Sequence, residues 1–204
     1  MNILHLSFSP RGQAGESYRL SRKIVDLLLK NDPAATVRAH ALGDGTLAHV
    51  DADYALAQHA AGAGASLGGT ALRSEALIQE LESADVLVVG TPMHNLGVPS
   101  TLKAWIDHVV RAGRTFDVSA TGKRGLLRDR PIYVAVASGG VFSGERARQT
   151  DFLTPYLRAV LGTIGLRDLT FFSVEGTGHG ADAVAEARVR TDGLLRAHFE
   201  GGTQ

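Results

Sequence analysis

Residues 86–99, Val-Leu-Val-Val-Gly-Thr-Pro-Met-His-Asn-Leu-Gly-Val-Pro, run an apolar strand straight into a rigid turn. Four consecutive apolar residues, Val86 to Val89, read as a central parallel strand covered on both faces. Pro92, Asn95, Gly97 and Pro99 punctuate the chain directly after it. An amphipathic helix follows at once, with Leu102, Ile106, Val109 and Val110 on one stripe. Pro99 opens that helix where a missing N–H costs nothing, and Gly113 ends it. In open α/β sheets, ligands bind in the crevice beyond the carboxyl ends of the strands. Met, His and Asn between two prolines hold main-chain polar groups and soft or flat side chains in one arc, which suits a planar ring.

Working outward, strands and helices alternate. Ile3–Leu6 is a short first strand. A polar loop, Ser7 to Glu16, precedes a helix with Leu20, Ile24, Leu27 and Leu28 at helical spacing. Ser17 is the expected cap and Pro33 the stop. Thr36–Leu42 alternates and reads as a second, edge strand. Residues 43–71, rich in Ala, Gly and His, suggest a long mobile insertion with one helix near Asp51–Ala61. A helix over 71–83 turns Leu77, Ile78 and Leu81 inward. Residues 114–130 form a loop or ribbon around Gly122 and Gly125. Ile132–Ala137 is the fourth buried strand. A helix over 149–164 is closed by Gly165. Leu169–Val174 is the fifth strand, and 181–198 the closing helix. This alternation argues an α/β three-layer sandwich with a five-stranded parallel sheet, in one domain over residues 1–204. With right-handed crossovers, the leading topology is the flavodoxin-like strand order 2-1-3-4-5.

Composition bounds the function. The chain has 204 residues, of which 44% are hydrophobic, enough for a large core. A formal net charge of +0 leaves no electrostatic footprint for nucleic acid. There are no cysteines, which excludes disulfides, thiolate metal sites and a cysteine nucleophile. The scattered His5, His40, His49 and His59 show no metal-ligand spacing, so no metal is expected. No apolar run approaches a membrane span. No charged n-region with a following apolar stretch precedes Ile3, so a secretory leader is not expected, and a cytoplasmic protein without membrane association is.

In the expected topology the loops Ser7–Ser17, Thr91–Pro99 and Ser138–Phe142 open on one crevice. The first ends at a helix N-terminus, whose free N–H groups and dipole make a phosphate site. Ser9 and Ser17 add hydroxyls, and Arg11 adds charge. It carries neither Gly-x-x-x-x-Gly-Lys-Ser/Thr nor Gly-x-Gly-x-x-Gly, so neither a triphosphate loop nor a Rossmann grip is indicated. A carboxylate at Glu16 would repel a phosphate unless it points outward. Taken alone, this loop reads equally as a capped helix after a turn. Ser138-Gly139-Gly140 lets the main chain approach a ligand closely, although alone it reads as a tight turn. Met93, His94 and Trp105, taken singly, read as packing or loop residues. Together the three loops fit a mononucleotide with a flat tricyclic head.

The chain resembles the FMN-dependent NADH:quinone oxidoreductases, also called azoreductases, of the flavodoxin-like fold. The likeness is densest in Ser9–Gly12, in Pro92–Asp107 through Gly113–Phe116, and in Ser138–Val141. It implies a homodimer with one FMN per subunit and the active site at the subunit interface. Ser9, with Gly15, Glu16 and Ser17, would hold the phosphate. Met93, His94, Asn95 and Leu96, after Pro92, would line the isoalloxazine, and Gly139 and Gly140 would sit at its far edge. Two departures stand out: family members often have Ser-x-Ser where this chain has Gly15-Glu16-Ser17, and many have Arg where it has Ser138. The implied reaction is a ping-pong transfer of two electrons from NADH or NADPH to a quinone, or to an azo compound that is cleaved. The chemistry is borne by the flavin, so no catalytic side chain is required. His94 is a candidate acceptor contact whose simpler role is packing against the ring edge. Phe116 and Phe142 are candidate walls of the acceptor pocket, and a side chain at Gly140 is expected to crowd the ring. Three alternatives stay open: an electron carrier without its own substrate, a flavin-free interaction domain of the same fold, and a hydrolase. The last lacks a Gly-x-Ser-x-Gly elbow.

Overall fold

The computed structural model describes residues 1–59, 68–120 and 122–201. Five parallel strands form its centre: β1 (Asn2–Ser7), β2 (Thr36–Ala41), β3 (Val86–Pro92), β6 (Ile132–Ala137) and β7 (Leu169–Val174). Between β3 and β6 the chain makes a two-stranded antiparallel ribbon, β4 (Phe116–Ser119) with β5 (Gly122–Gly125). The expected order 2-1-3-4-5 is therefore corrected to β2-β1-β3-β6-β7. The ribbon takes up the glycine-bearing segment after the third strand and stays outside the main sheet, so the later strands shift in number.

Strand alternation sorts side chains into two cores. Leu4, Leu6, Leu87, Val89, Val134 and Val136 face one side, with Leu77 and Leu81 of α3 (Thr70–Ser83), Trp105 and Ile106 of α4 (Ser100–Val109) and Leu157 of α5 (Leu153–Thr163). Ile3, Val86, Val88 and Ala135 face the other side, under Leu20 and Ile24 of α1 (Glu16–Asn31) and Leu195 of α6 (Ala181–Glu200). Strands buried on both faces are what the continuous apolar runs require. Trp105 packs in the first core, its ring 6.1 Å from that of Phe8. β2 is the exposed edge, as its alternation indicates.

Several boundaries differ from expectation, each for a local reason. Helix α1 is preceded by Gly15, with no side-chain cap, so Ser17 is not its cap but a buried residue of its first turn. Helix α5 begins at Leu153 rather than near 149, because the Asp151 carboxylate accepts the N–H groups of Leu153 and Thr154, both at 2.9 Å. That capping frees Gln149 for another role. Gly165, at φ +101°, closes α5 as expected, with Leu166 N–H bonded to Leu161 C=O and Gly165 N–H to Gly162 C=O. In the segment read as an insertion, Gly43 and Leu47 are buried and α2 (Ala52–His59) is helical. Residues 60–67, including the end of the expected 51–61 helix, lie outside the described residues.

One close approach sets the position of α1. A Cβ at Gly90 on β3 would lie 2.6 Å from Ser21 Oγ and 2.9 Å from the Ser17 carbonyl oxygen. The helix therefore rests directly on the strand's main chain. Gly90→Ala should destabilise the fold by about 1–3 kcal/mol through overpacking. Chemical denaturation with an unchanged midpoint would show that this contact yields without cost.

His5, on β1, is buried under the same helix, its Nε2 2.8 Å from Ser21 Oγ. Burial first, and the charge of Arg22 second, push its pKa from 6.5 down to about 4, against the opposing pull of Asp26. The unfolded chain thus takes up this proton before the folded one does. Its contribution is fully present above pH 6.5 and is lost as the pH falls toward 4. The drop across that window amounts to about 3 kcal/mol. His5→Gln should flatten the pH dependence of the melting temperature there. An unchanged slope would remove His5 as its origin.

Candidate functional site

Parallel register brings three loops to one end of the sheet. Ser7 stands opposite Gly90, and Pro92 opposite Ala137, so the chain leaves β1, β3 and β6 at adjacent tips.

The loop after β1 turns through a short 3-10 helix, Gly12–Ala14, into α1. Ser9 is its fixed point. Its Oγ accepts the Arg11 N–H at 3.3 Å, and its carbonyl accepts the Gly12 N–H at 3.0 Å. A Cβ at Gly15 would overlap Ser9 Oγ, and one at Gly43 would overlap the Ser9 carbonyl. Glycine at both places lets the loop close around Ser9. The main-chain N–H groups of Glu16, Ser17 and Tyr18 have no acceptor among the described residues, and no side chain caps the helix. Such a terminus carries about half a positive charge and three free donors.

Glu16 stands at this terminus, yet its carboxylate turns away. It accepts Arg19 Nε at 3.2 Å and Arg188 Nε at 3.0 Å, with a second bond from Arg188 Nη2. The Arg188 guanidinium, reaching in from α6, is the main cause that holds its carboxyl below the usual range. The acid that looked misplaced beside an anion is neutralised from outside, and its N–H remains at the helix start.

The loop after β3 is a two-residue turn. His94 and Gly97 exchange N–H···O bonds of 3.0 and 2.9 Å, and the residues between them, Asn95 and Leu96, have φ of +48° and +69°. Two left-handed residues inside one narrow pair make a type I′ turn. Leucine is an uncommon occupant of that region, so the surroundings must hold it. The Leu96 carbonyl accepts the Phe152 N–H at 3.1 Å, and the Met93 N–H donates to the Ala137 carbonyl at 2.8 Å. The N–H groups of Asn95 and Leu96 have no acceptor among the described residues. Pro92 ends β3, Met93 is buried beneath the turn, and His94 is exposed at its corner.

At the third tip, Ser138 is buried and its polar atoms are taken by protein. Gln149 Nε2 donates to Ser138 Oγ at 2.8 Å and lies 3.1 Å from Met93 Sδ. The Ser138 carbonyl accepts the Thr177 N–H at 3.0 Å and its hydroxyl at 3.1 Å. Ser138 therefore supports the site from below. A Cβ at Gly139 would meet nothing within 4 Å, whereas one at Gly140 would lie 2.9 Å from Gln149 Cδ. A side chain at Gly140 would thus meet Gln149 first, and the open space at this tip lies at Gly139.

The two candidate wall residues separate in the single chain. Phe142 lies on the third loop, its N–H bonded to Glu175 Oε2 at 2.8 Å and its ring half-buried against the larger core. Phe116 lines a different cavity of about 380 Å³, with Tyr54, Lys103, Ile106 and Tyr156, to which none of the three loops contributes. Three contributors escaped the reading of the sequence: Gly43 behind Ser9, Gln149 linking Met93 to Ser138, and Glu175 holding the third loop. Asp151 was the available signal for Gln149, since a capping aspartate there places the helix start after it. Among the described residues no cluster of three or more His, Cys, Asp or Glu is placed to hold a metal. No described helix is long and apolar enough to cross a membrane.

A family profile described as the flavodoxin-like fold matches residues 1–197. The chain is 45% identical over 184 residues to FMN-dependent NADH:quinone oxidoreductase 4 of Pseudomonas fluorescens, covering 90% of this chain and 88% of that one. It is 43% identical to FMN-dependent NADH:quinone oxidoreductase 5 of Burkholderia lata, covering 92% and 91%. Among solved structures, an azoreductase from Bacillus anthracis str. Sterne superposes with a TM-score of 0.85 at 24% identity, over 98% of both chains. A second, an FMN-dependent NADH-azoreductase from Bacillus anthracis str. Ames Ancestor in complex with FMN, gives 0.75 at 23% identity, over 95% of this chain and 99% of that one. These two likenesses are of fold.

Proposed function

The chain belongs to the flavodoxin-like family that includes the FMN-dependent NADH:quinone oxidoreductases, and on that premise we propose that it is an FMN-dependent NAD(P)H:quinone oxidoreductase that also cleaves azo compounds. One juxtaposition carries the reading. An uncapped helix N-terminus and a left-handed turn with two N–H groups unpaired among the described residues stand at the tips of neighbouring strands.

These residues fit the cofactor. The free N–H groups of Glu16, Ser17 and Tyr18, with Ser9 and Gly15 beside them and Arg11 exposed nearby, would hold the phosphate. Pro92, Met93, His94, Asn95 and Leu96 would hold one side of a flat ring, and Gly139 leaves room for its far edge. When bound, FMN supplies two-electron chemistry between a nicotinamide donor and a quinone or azo acceptor. The chain's own part is positional. The N–H groups of Asn95 and Leu96 are preorganised donors for negative charge beside them. They need no rearrangement, because the turn is fixed at both ends. Exposed His94 is placed to contact an acceptor oxygen.

The same reading takes the protein as a cytoplasmic homodimer. Leu96, at the turn, is 38% exposed and Phe152, bonded to it, 60%. Apolar residues at the rim of a cofactor crevice suit cover by a second subunit. Phe116 and its cavity would then reach an acceptor only through a dimer.

Purified protein should be yellow. Anaerobic NADH should bleach the flavin without a partner reductase, and a benzoquinone pulse should restore it. Bleaching only with an added reductase would make the protein an electron carrier; a colourless protein that refuses added FMN would overturn the reading.

The ring's position has its own check. Gly139→Val should weaken FMN affinity at least about tenfold, the scale of 1.4 kcal/mol. Gly140→Ala should press on Gln149 and cost stability while retaining most of the flavin. Equal flavin content in both variants would contradict this placement.

A further inference from the structure

Beyond Gly140 the surface opens into a cavity of about 440 Å³ between the loop after β6 and helix α6. Arg146 and Arg148 come from the loop, His179 from the segment before α6, and Arg190 from α6 itself. A second cavity of about 470 Å³ adjoins it and shares Arg146 and Arg190. Nothing in the electron transfer described above employs these side chains.

Their charge is partly offset by Glu175 and Glu186 in the first cavity and by Glu145 in the second, but two of the three arginines are unpaired among the described residues. Arg146 and Arg148 make no ion pair among the described residues; the one side-chain bond of Arg148 is to the Ala147 carbonyl, at 2.9 Å. Arg190 reaches Glu186 only at 3.8 Å. The other acid lining the first cavity, Glu175, keeps its charge, but neutral donors hold both of its oxygens. One of its oxygens accepts the N–H groups of Phe142 and Ser143, and the other accepts the hydroxyls of Ser143 and Ser173. These bonds spend the carboxylate on holding the loop that presents the arginines.

The cavity shares a wall with the third of the tips that border the crevice. Gly140 and Gln149 line it, and Gln149 is the residue that bonds Ser138 and lies against Met93 at the ring-holding tips. A ligand with one end at those tips therefore has its next part beside the arginines. Volumes of this size take one half of a dinucleotide. Guanidinium forks match phosphate oxygens in pairs, and two that are not already paired lose no partner on binding.

We propose that this cavity, between the Gly140–Gln149 loop and α6, binds the diphosphate and adenosine half of the nicotinamide dinucleotide donor, with Arg146 and Arg148 as its phosphate ligands. This deepens the quinone oxidoreductase reading and rests on it for the identity of the donor. Arg146 and Arg148 act on donor affinity and leave the acceptor half of the cycle untouched. The adjoining cavity, reached past Arg146, receives the adenosine.

The test uses ADP as the probe, because it carries the proposed group and no nicotinamide. Calorimetric titration of the FMN-loaded wild-type protein with ADP should show binding that weakens with added salt. Arg146→Gln/Arg148→Gln should lose it by at least about tenfold, the effect of removing one to two charge-assisted contacts. Both side chains are exposed, so the variant should keep its melting temperature. In rapid-mixing reduction, the variant's half-saturation for NADH should rise by a similar factor. Reduction by reduced nicotinamide riboside, which carries neither phosphate nor adenosine, should be unchanged. Arg190→Gln is the second variant and should weaken ADP in the same direction. No ADP binding by the wild type, or equal binding by wild type and double variant, overturns the proposal. Flavin colour and bleaching by NADH report separately on the enzymatic reading, so the two fail independently.

Discussion

Helix α1 lies on β3 with no side chain from the strand between them at Gly90, and the functional end of the molecule depends on that contact. A helix normally stands off a sheet by the thickness of a side-chain layer. Here the Ser17 carbonyl and Ser21 hydroxyl occupy the space that a Cβ would need. The helix start is thereby lowered onto the tips of β1 and β3. Gly15 and Gly43 then let the chain fold around Ser9. Three glycines, far apart in sequence, produce one bare helix terminus facing a crevice. That terminus suits an anion, because its first N–H groups have no acceptor among the described residues.

Charge is arranged to leave this terminus positive. Glu16 is drawn off by Arg19 and by Arg188 of α6, so that the carboxylate closest in sequence to the terminus is bonded elsewhere. Partly solvated ion pairs of this kind contribute modestly to stability. Their consequence is directional, since they decide which way an acid points. The same economy recurs in the loop after β6, where Glu175 is consumed by main-chain and hydroxyl donors. Elsewhere, charge ties elements together: Arg114 spans Glu75 and Glu82 of α3, at 3.0 and 2.6 Å, and fixes the segment after α4. Arg130 donates to the carbonyls of Leu81 and Glu82, and so closes the end of α3.

The turn after β3 shows how a ligand surface is built from main chain. Asn95 and Leu96 sit in the left-handed region, and the I′ geometry exposes their N–H groups. The turn is held at one side by the Met93–Ala137 bond and at the other by the Leu96–Phe152 bond. Its rigidity comes from β6 and the start of α5, neither of which is close in sequence. Gln149 adds a side-chain tie beneath, through Met93 and Ser138.

Much of this was legible from local pattern. Val86–Val89 and Ile132–Ala137 are apolar on both faces, and that alone demands a covered parallel sheet. Gly165 marked the end of α5, and Pro92 to Pro99 marked the turn that shapes the crevice. Local pattern determined these because backbone preference and side-chain period act over a few residues. The tertiary structure alone decided which glycine faces open space, where Gln149 turns, and why Glu16 does no harm. Those outcomes rest on contacts between distant segments, such as Arg188 with Glu16 and Gly43 with Ser9. No local rule encodes them, because they exist only once the sheet has brought its strand tips side by side.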